Sequence, residues 1–250
     1  DKPQRYRLVH GDVVVWGGSR PDLFRITIDS FMNHVKFDGR IRYYLQEAGL
    51  YEDKAYQSIE IAKEYGFDGY IIEPLYSYGW SMVAGIDRWV TSPYMFSLED
   101  DNKCLRDIPL DLSIDAMRQI KSINQIRYNR RATMGYKGEG VTIWHKCERE
   151  YEIKGQKYIF TSSDHWFFTP ALWRMEWIRH RFEGAFVNVN LALNDLKGPL
   201  LGEYGFTSKP PADFCADVMG TLIWGPIGER QFFEHLGKGD RSIHNVLGRV

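Results

Sequence analysis

The sequence has little cysteine. Only three of its 250 residues are cysteine, at Cys104, Cys147 and Cys215. An odd number at such wide spacing makes neither a disulfide framework nor a Cys-x-x-Cys metal site. Sparse, unpaired cysteine is typical of a reducing compartment, so we predict a cytoplasmic protein.

Long apolar stretches are also missing. No uncharged apolar run approaches the roughly 18 residues that cross a bilayer, which predicts that the chain has no transmembrane segment. The first residues, DKPQRYRLVHGD, do not have the pattern of a signal peptide. They also lack an initiator methionine, so we expect the chain to be trimmed or excised from a longer protein.

An excess of charge of either sign is absent. The 32 basic and 33 acidic residues give a net charge of −1, which leaves no global field to attract nucleic acid or an anionic membrane. With 44% apolar and 26% charged residues, the composition is that of a globular protein and excludes a disordered chain or a coiled coil. We find no internal repeat or low-complexity linker. We therefore predict one domain over residues 1–250, with two halves at about 10–130 and 131–250.

The first half alternates β-branched runs with helical repeats. The predicted strands cover residues 12–16, 40–46, 69–73 and 94–98. Three helices are predicted between them: the first begins at Pro21, and the other two cover residues 52–65 and 82–89. This order predicts an α/β fold with a mainly parallel central sheet and helices on both faces. Ligands of such sheets bind beyond the carboxyl ends of the strands.

The second half is less regular. We predict a helix capped by Ser113 and ending near residue 124, followed by a strand at 125–128. Residues 141–144 and 151–161 suggest a hairpin about Lys154-Gly155. Residues 170–182 and 187–196 have helical spacing, which also places Trp173 and Trp177 on one helical face. The Gly- and Pro-rich tail from Gly198 is predicted to form loops that wrap over the sheet.

Three acidic residues, Glu99-Asp100-Asp101, follow the fourth predicted strand directly. Adjacent carboxylates at a strand end are costly unless water or a cation neutralises them. Their oxygens are hard ligands that suit Mg²⁺ or Mn²⁺. The alternative interpretation is a solvated acidic turn.

Two stretches, VVVWGGSRPDLFRITIDSF and GWSMVAGIDRWVTSPYMFSLEDD, together resemble the nucleotide-sugar-dependent glycosyltransferases of the GT-A fold, most closely family 2. In that family a first strand leads into a loop ending in Arg-Pro, here Arg20-Pro21. A glycine-containing helix, here with Gly85, then precedes an apolar strand and the metal-binding acidic motif. The resemblance covers about residues 10–130. It implies a GT-A (Rossmann-like) fold whose first half binds the nucleotide sugar and whose irregular second half binds the acceptor.

The resemblance also implies roles for individual residues. Glu99 and Asp101 would bind the metal, as would His235, which is followed by Leu-Gly as in many GT-A enzymes; His244 is its rival. Donor binding is implied for the first loop, the end of the second strand and the middle acid: Trp16, Gly17, Arg20, Gln46, Glu47 and Asp100. Two departures from the family leave the nucleotide open. Val83 stands where an Asn is usual, and Gln46-Glu47-Ala48-Gly49 replaces Asp-Asp-Gly-Ser.

The general base is less well marked. The family places an acid about 90 residues after the metal motif, which favours Asp195, and Asp164 lies in a segment that resembles the acceptor side. Glu176 and Glu183 are alternatives, and a retaining enzyme needs no such base. Trp166 is a candidate for stacking on the acceptor, whereas Trp173 and Trp177 suit core packing. Basic residues near His235 could neutralise phosphate: Arg230, Lys238 and Arg241.

The sequence thus predicts a glycosyltransferase that uses Mn²⁺ or Mg²⁺ to move a sugar from a nucleoside-diphosphate sugar, with a UDP-sugar ranked first. The acceptor would be a hydroxyl of a glycan, a protein or another compound, and a nucleic-acid acceptor stays open. Two alternatives remain. A sugar nucleotidyltransferase ranks lower because GGSRPD lacks the fuller Gly-rich loop of those enzymes. A non-catalytic module of the same fold would bind the nucleotide or carbohydrate without transfer.

Overall fold

The computed structural model describes residues 10–49, 51–73, 78–128, 145–163, 170–181, 221–226 and 229–236. These residues form an α/β fold built on a large sheet. The strands are β1 (His10–Gly17), β2 (Val35–Lys36), β3 (Arg40–Ala48), β4 (Gly69–Glu73), β5 (Tyr94–Glu99), β6 (Asn102–Cys104), β7 (Ile108–Pro109), β8 (Gln125–Arg127), β9 (His145–Ile153), β10 (Gln156–Ser163), β11 (Ala171–Arg174), β12 (Thr221–Trp224) and β13 (Phe233–His235). The helices are α1 (Pro21–His34), α2 (Glu52–Glu64), α3 (Tyr78–Trp89), α4 (Leu110–Gln119) and α5 (Met175–Arg181).

The first half of the sheet is parallel, as predicted. Its strands lie in the order β4-β3-β1-β5 and every neighbouring pair runs in the same direction. Alternate residues of β1 face opposite sides, because side chains alternate along a strand. Val13 and Val15 pack in the core that includes α1, α2 and α4, whereas Val14 and Trp16 pack with α3 and α5. Helices therefore cover both faces, which confirms the α/β prediction for this half.

The second half of the chain makes the sheet mixed. The prediction of a mainly parallel sheet therefore holds for β4, β3, β1 and β5 and not for the sheet as a whole. The nine-stranded sheet continues from β5 through β11, β8, β12 and β10 to β9. From β5 onward β11 is antiparallel to both its neighbours, β10 is antiparallel to β12 and β9, and the described pair that is parallel is β12 with β8. The hairpin β9–β10 forces an antiparallel pair because its turn is two residues long. Lys154 and Gly155 both have positive φ there, at 51° and 77°, as a tight hairpin turn requires.

Several predicted elements of the second half are wrong. Ser113 does not cap a helix: it lies inside α4, where its hydroxyl donates to the carbonyl of Pro109 at 2.9 Å. Residues 171–174 form strand β11 and not the start of a helix, because they pair with β5 and β8 on either side. Trp173 and Trp177 therefore lie on a strand and a helix, with stacked rings whose centroids are 5.8 Å apart. Part of the predicted loop tail forms strands β12 and β13. Residues 141–144 and 187–196 lie outside the described ranges.

The five helices that the structure describes are 7 to 14 residues long. None that the structure describes is long and apolar enough to cross a membrane.

Candidate functional site

The strand order reverses between β1 and β5. From β1 the chain adds β3 and β4 on one side, and then crosses to place β5 on the other. At such a point the loops that follow the two central strands diverge and leave a crevice at the carboxyl edge of the sheet. Those loops carry Gly18, Ser19 and Arg20 after β1, and Asp100 and Asp101 after β5. The two stretches of sequence that resemble the GT-A enzymes thus meet at this crevice.

Asp100 is fully buried between these two loops. Its Oδ2 accepts a hydrogen bond from the backbone N–H of Gly18 at 2.7 Å. Its Oδ1 forms an ion pair with the guanidinium of Arg20, whose Nε is 3.3 Å from Oδ2. The same guanidinium reaches the next residue, because Arg20 Nη1 lies 2.8 Å from Asp101 Oδ2. One arginine therefore bridges two adjacent carboxylates, and Asp100 is held by Arg20 and the backbone of Gly18.

His235 reaches the acids through a small second sheet. Strand β13 pairs with β6 and places His235 opposite Asn102, and the N–H of Leu236 donates to the carbonyl of Asp101 at 2.7 Å. As a result His235 Nε2 lies 3.1 Å from Asp101 Oδ2. Glu99 comes from the end of β5, and Asn102 Nδ2 lies 3.3 Å from both Glu99 Oε2 and Asp101 Oδ1.

The three residues assigned to the metal thus lie together. One ligand atom from each of Glu99, Asp101 and His235 falls within 4.8 Å of the other two. Two carboxylates and an imidazole form a mixed oxygen and nitrogen set that suits Mn²⁺ better than Mg²⁺. The Nδ1 atom of His235 is buried and makes no hydrogen bond within the described structure.

The two adjacent acids differ in their readiness to ionise. Burial raises the pKa of Asp100 to about 6, and the charge of Asp101 adds to this, although Arg20 and the Gly18 N–H oppose it. Burial also acts on Asp101, but the hydrogen bonds and charges of His235 and Arg20 outweigh it and hold its pKa below the ordinary value. Asp101 therefore stays ionised to lower pH than Asp100, and it is directed at the histidine, as a metal ligand must be.

Glu47, at the end of β3, holds the loop after β1. It is fully buried and its Oε1 accepts the backbone N–H of Ser19 and, at 3.3 Å, the Ser19 hydroxyl. Burial raises its pKa to about 8, with a further contribution from the charge of Asp100. Gly17 is required beside it, because a Cβ there would lie 2.8 Å from Glu47 Cδ. Ser19 itself has φ of 56°, a strained value for a residue with a side chain.

Trp16 and Gln46 face the opposite side of the sheet from Glu47. The Trp16 indole is buried under α3 and donates to Ser97 Oγ at 2.8 Å. A Cβ at Gly85 would lie 2.7 Å from Trp16 Cζ3, so the glycine allows α3 to approach this ring. Gln46 is also buried, and its Oε1 accepts from Trp89 Nε1 at 3.1 Å. In both cases the described contacts of the side chain are with the core and α3.

The structure does not describe most candidates for the acceptor side, nor several candidates for binding the metal or the phosphate. Asp164, Trp166, Glu183, Asp195, Lys238, Arg241 and His244 lie outside the described ranges. Glu176 is an exposed residue of α5, and Arg230 is exposed with its carbonyl accepting from Arg106. Sequence reasoning missed Asn102, and it included Ser19 only as part of the first loop. Asn102 follows the acidic triplet directly, so its position was a usable signal, whereas the role of Ser19 depends on a contact with β3.

Comparison of the chain with models of known protein families finds no match, and comparison with curated proteins finds none either.

Proposed function

We propose that the chain is a metal-dependent glycosyltransferase of the GT-A fold, which moves a sugar from a nucleoside-diphosphate sugar to an acceptor hydroxyl. The observation that carries the proposal is the cluster of Glu99, Asp101 and His235 at the crevice beside β5. Sequence resemblance assigned these three residues to one metal, and the fold brings them together from segments 134 residues apart (Asp101 to His235). A crevice at a strand-order reversal is also where α/β proteins bind nucleotides.

The residues at the crevice would have separate roles in binding the metal and the donor. Glu99, Asp101 and His235 would hold Mn²⁺ or Mg²⁺, which when bound acts as a Lewis acid on the leaving diphosphate. Arg20 provides a planar guanidinium that matches phosphate oxygens in pairs. The loop from Gly17 to Arg20 is fixed by Glu47, so its backbone is oriented before a donor binds. Donor contacts by Trp16, Gln46, Glu47 and Asp100 remain predictions.

The partners follow from the same resemblance. We propose a UDP-sugar as the first donor to test, and a glycan, protein or other hydroxyl compound as acceptor, with a nucleic acid also to be tried. Asp195 and Asp164 are the proposed bases if the reaction inverts the anomeric carbon. We also propose a cytoplasmic location, which is supported by a buried cysteine, Cys104, that is a free thiol.

A binding and turnover experiment tests the proposal. The chain is titrated calorimetrically with Mn²⁺ together with UDP, GDP, CMP or dTDP, and hydrolysis of the matching nucleotide sugars is followed. We expect one nucleotide to bind only with Mn²⁺. Asp101→Asn should weaken Mn²⁺ binding by at least about tenfold, because loss of a ligand costs no less than loss of its supporting contacts.

The matched control is Asp107→Asn, at an exposed aspartate paired with His34 away from the crevice. This variant should bind and turn over like the wild type. Equal Mn²⁺ affinity in Asp101→Asn and wild type would show that the acids form only a solvated turn. Release of pyrophosphate from a sugar phosphate and a nucleoside triphosphate would instead favour the nucleotidyltransferase, and binding without any turnover would favour the non-catalytic module.

A further inference from the structure

One oxygen of the candidate metal centre already has two contacts. Asp101 Oδ2 lies 2.8 Å from Arg20 Nη1 and 3.1 Å from His235 Nε2. A divalent cation held by Asp101 and His235 would be close to the guanidinium, and both carry positive charge. Like charges at such a distance repel strongly where water is largely excluded. The cation and the present position of Arg20 are therefore in competition.

Arg20 has a reason to be there when no cation is bound. Asp100 and Asp101 are adjacent and almost fully buried. Two such carboxylates without a counterion would each carry a large desolvation cost. In the described part of the chain, their ion pairs are with Arg20 and His235. The Arg20 side chain is one-quarter exposed, at 25%, so it lies at the rim of the centre and not beneath it.

We propose that Arg20 is an internal counterion that occupies the centre until a divalent cation and a diphosphate bind together. The cation displaces the guanidinium from Asp101, and the displaced guanidinium pairs with phosphate oxygens. The inference rests on the proposed function, because it takes a nucleoside diphosphate as the second ligand. It adds that one side chain couples the two binding events.

The coupling follows from the charge balance. A cation that binds alone must separate Arg20 from Asp101 and leaves the guanidinium without that partner. A diphosphate that binds alone meets a guanidinium that is already neutralised by two carboxylates. When both bind, every charge has a partner of opposite sign. Each ligand should therefore raise the affinity of the other by the same factor, within the roughly 5–150-fold range that is usual for coupled sites.

Calorimetry on the full chain tests this with three probes: Mn²⁺, UDP and inorganic pyrophosphate. Each is titrated alone and then with the other partner present, and the association of Mn²⁺ with the phosphate in buffer is subtracted. In the wild type, we expect Mn²⁺ to bind at least about tenfold more tightly when UDP or pyrophosphate is present. In Arg20→Met, Mn²⁺ alone should bind about tenfold more tightly than in the wild type, and the coupling factor should fall to the smaller value that direct contact between the metal and the phosphate supplies.

The direction of the Arg20→Met effect separates two roles. A residue that only binds phosphate would leave the affinity for Mn²⁺ alone unchanged when it is replaced. A residue that competes with the cation makes that affinity rise. Unchanged or weaker binding of Mn²⁺ alone by Arg20→Met would overturn the inference, as would an undiminished coupling factor.

Loss of Arg20 leaves Asp100 buried without its ion pair, so the variant needs a folding control. Asp100→Asn removes the need for an ion pair at this position, because the side chain is then uncharged and its amide oxygen can still accept from the Gly18 N–H. Comparison of Asp100→Asn with Arg20→Met/Asp100→Asn then isolates the effect on Asp101 and decides the question if the single variant does not fold. Arg25→Met is the matched control, since Arg25 lies in α1, the helix that begins directly after Arg20, and pairs with exposed Glu64. It should bind Mn²⁺ like the wild type.

The two phosphate probes separate failure of this inference from failure of the proposed function. Coupling with pyrophosphate but with no nucleotide would support the counterion and refute the nucleotide-sugar donor. Mn²⁺-dependent UDP binding with no tightening in Arg20→Met would refute the counterion and support the donor.

Discussion

Replacement of Glu47 by glutamine should remove a pH dependence of stability that the wild type shows between the ordinary glutamate pKa of 4.5 and about pH 8. Glu47 is fully buried at the end of β3, and the Ser19 N–H and hydroxyl approach a single oxygen, Oε1. Burial, with help from the charge of Asp100, raises the pKa of this carboxyl to about 8 in the folded protein, from an ordinary value of 4.5. The unfolded chain, which lacks this environment, loses the proton at the ordinary pKa.

The sign follows from this difference. Between the two pKa values the folded state binds the proton and the unfolded state does not, so a rise in pH lowers the free energy of unfolding. The stabilisation is complete below the ordinary pKa and is lost as the pH rises towards about 8. From pH 6 to pH 8 this loss comes to about 2 kcal/mol. Asp100, whose pKa is raised to about 6, contributes a loss in the same direction that is centred at lower pH.

Urea unfolding at pH 6, 7 and 8, in buffer with a chelator, measures the effect. The free energy of unfolding of Glu47→Gln should fall by about 2 kcal/mol less than that of the wild type over this range. Glu52→Gln, at an exposed glutamate in the first turn of α2, is the control and should follow the wild type. Parallel curves for the wild type and Glu47→Gln would refute the assignment of this titration to Glu47.

Three further predictions concern the crevice and its support. Ser19→Gly should be more stable to heat than Ser19→Ala by about 1 kcal/mol, because both lose the hydroxyl bonds of Ser19 but only alanine keeps the strained φ. Gly85→Ala should lower the free energy of unfolding by about 1 kcal/mol, since the clash of its Cβ with Trp16 exceeds the gain in helix propensity; an unchanged melting temperature would contradict this. His235→Gln should weaken Mn²⁺ binding about 10–100-fold with little change in melting temperature, and equal affinities by calorimetry would remove His235 from the centre.

The first half of the fold was predictable because its signals are local. A β-branched run such as residues 12–16 is apolar on both sides, and Pro21 marks the start of a helix. Both ends of each predicted strand of this half lie within two residues of the ends of an observed strand. The acidic triplet was predicted at the end of a strand for the same reason, and Glu99 is the last residue of β5.

The second half depends on contacts that the local sequence does not contain. Residues 171–177 place Trp173 and Trp177 at helical spacing, yet Ala171–Arg174 is a strand because β5 and β8 flank it. Strand β12 did have a local signal, since TLIW is a short apolar run between glycines, and the tail composition obscured it. The ion pairs of Arg20 with Asp100 and Asp101 join residues 80 and 81 positions apart. Nothing near Arg20 in the sequence indicates that it meets these acids.

The position of β12 in the sheet has a consequence for the order of folding. Thr221–Trp224 lies between β8 and β10, so among the described strands it is β12 that joins the β9–β10 hairpin to the sheet, and it is synthesised more than 55 residues after β10 ends. Until then β8 and β10 each have an edge that no other described strand pairs with, and such an edge invites pairing with other chains. Pairing across long sequence separations is also slow. A chain stopped before Thr221 should therefore retain the parallel strands of the first half but aggregate through these two edges.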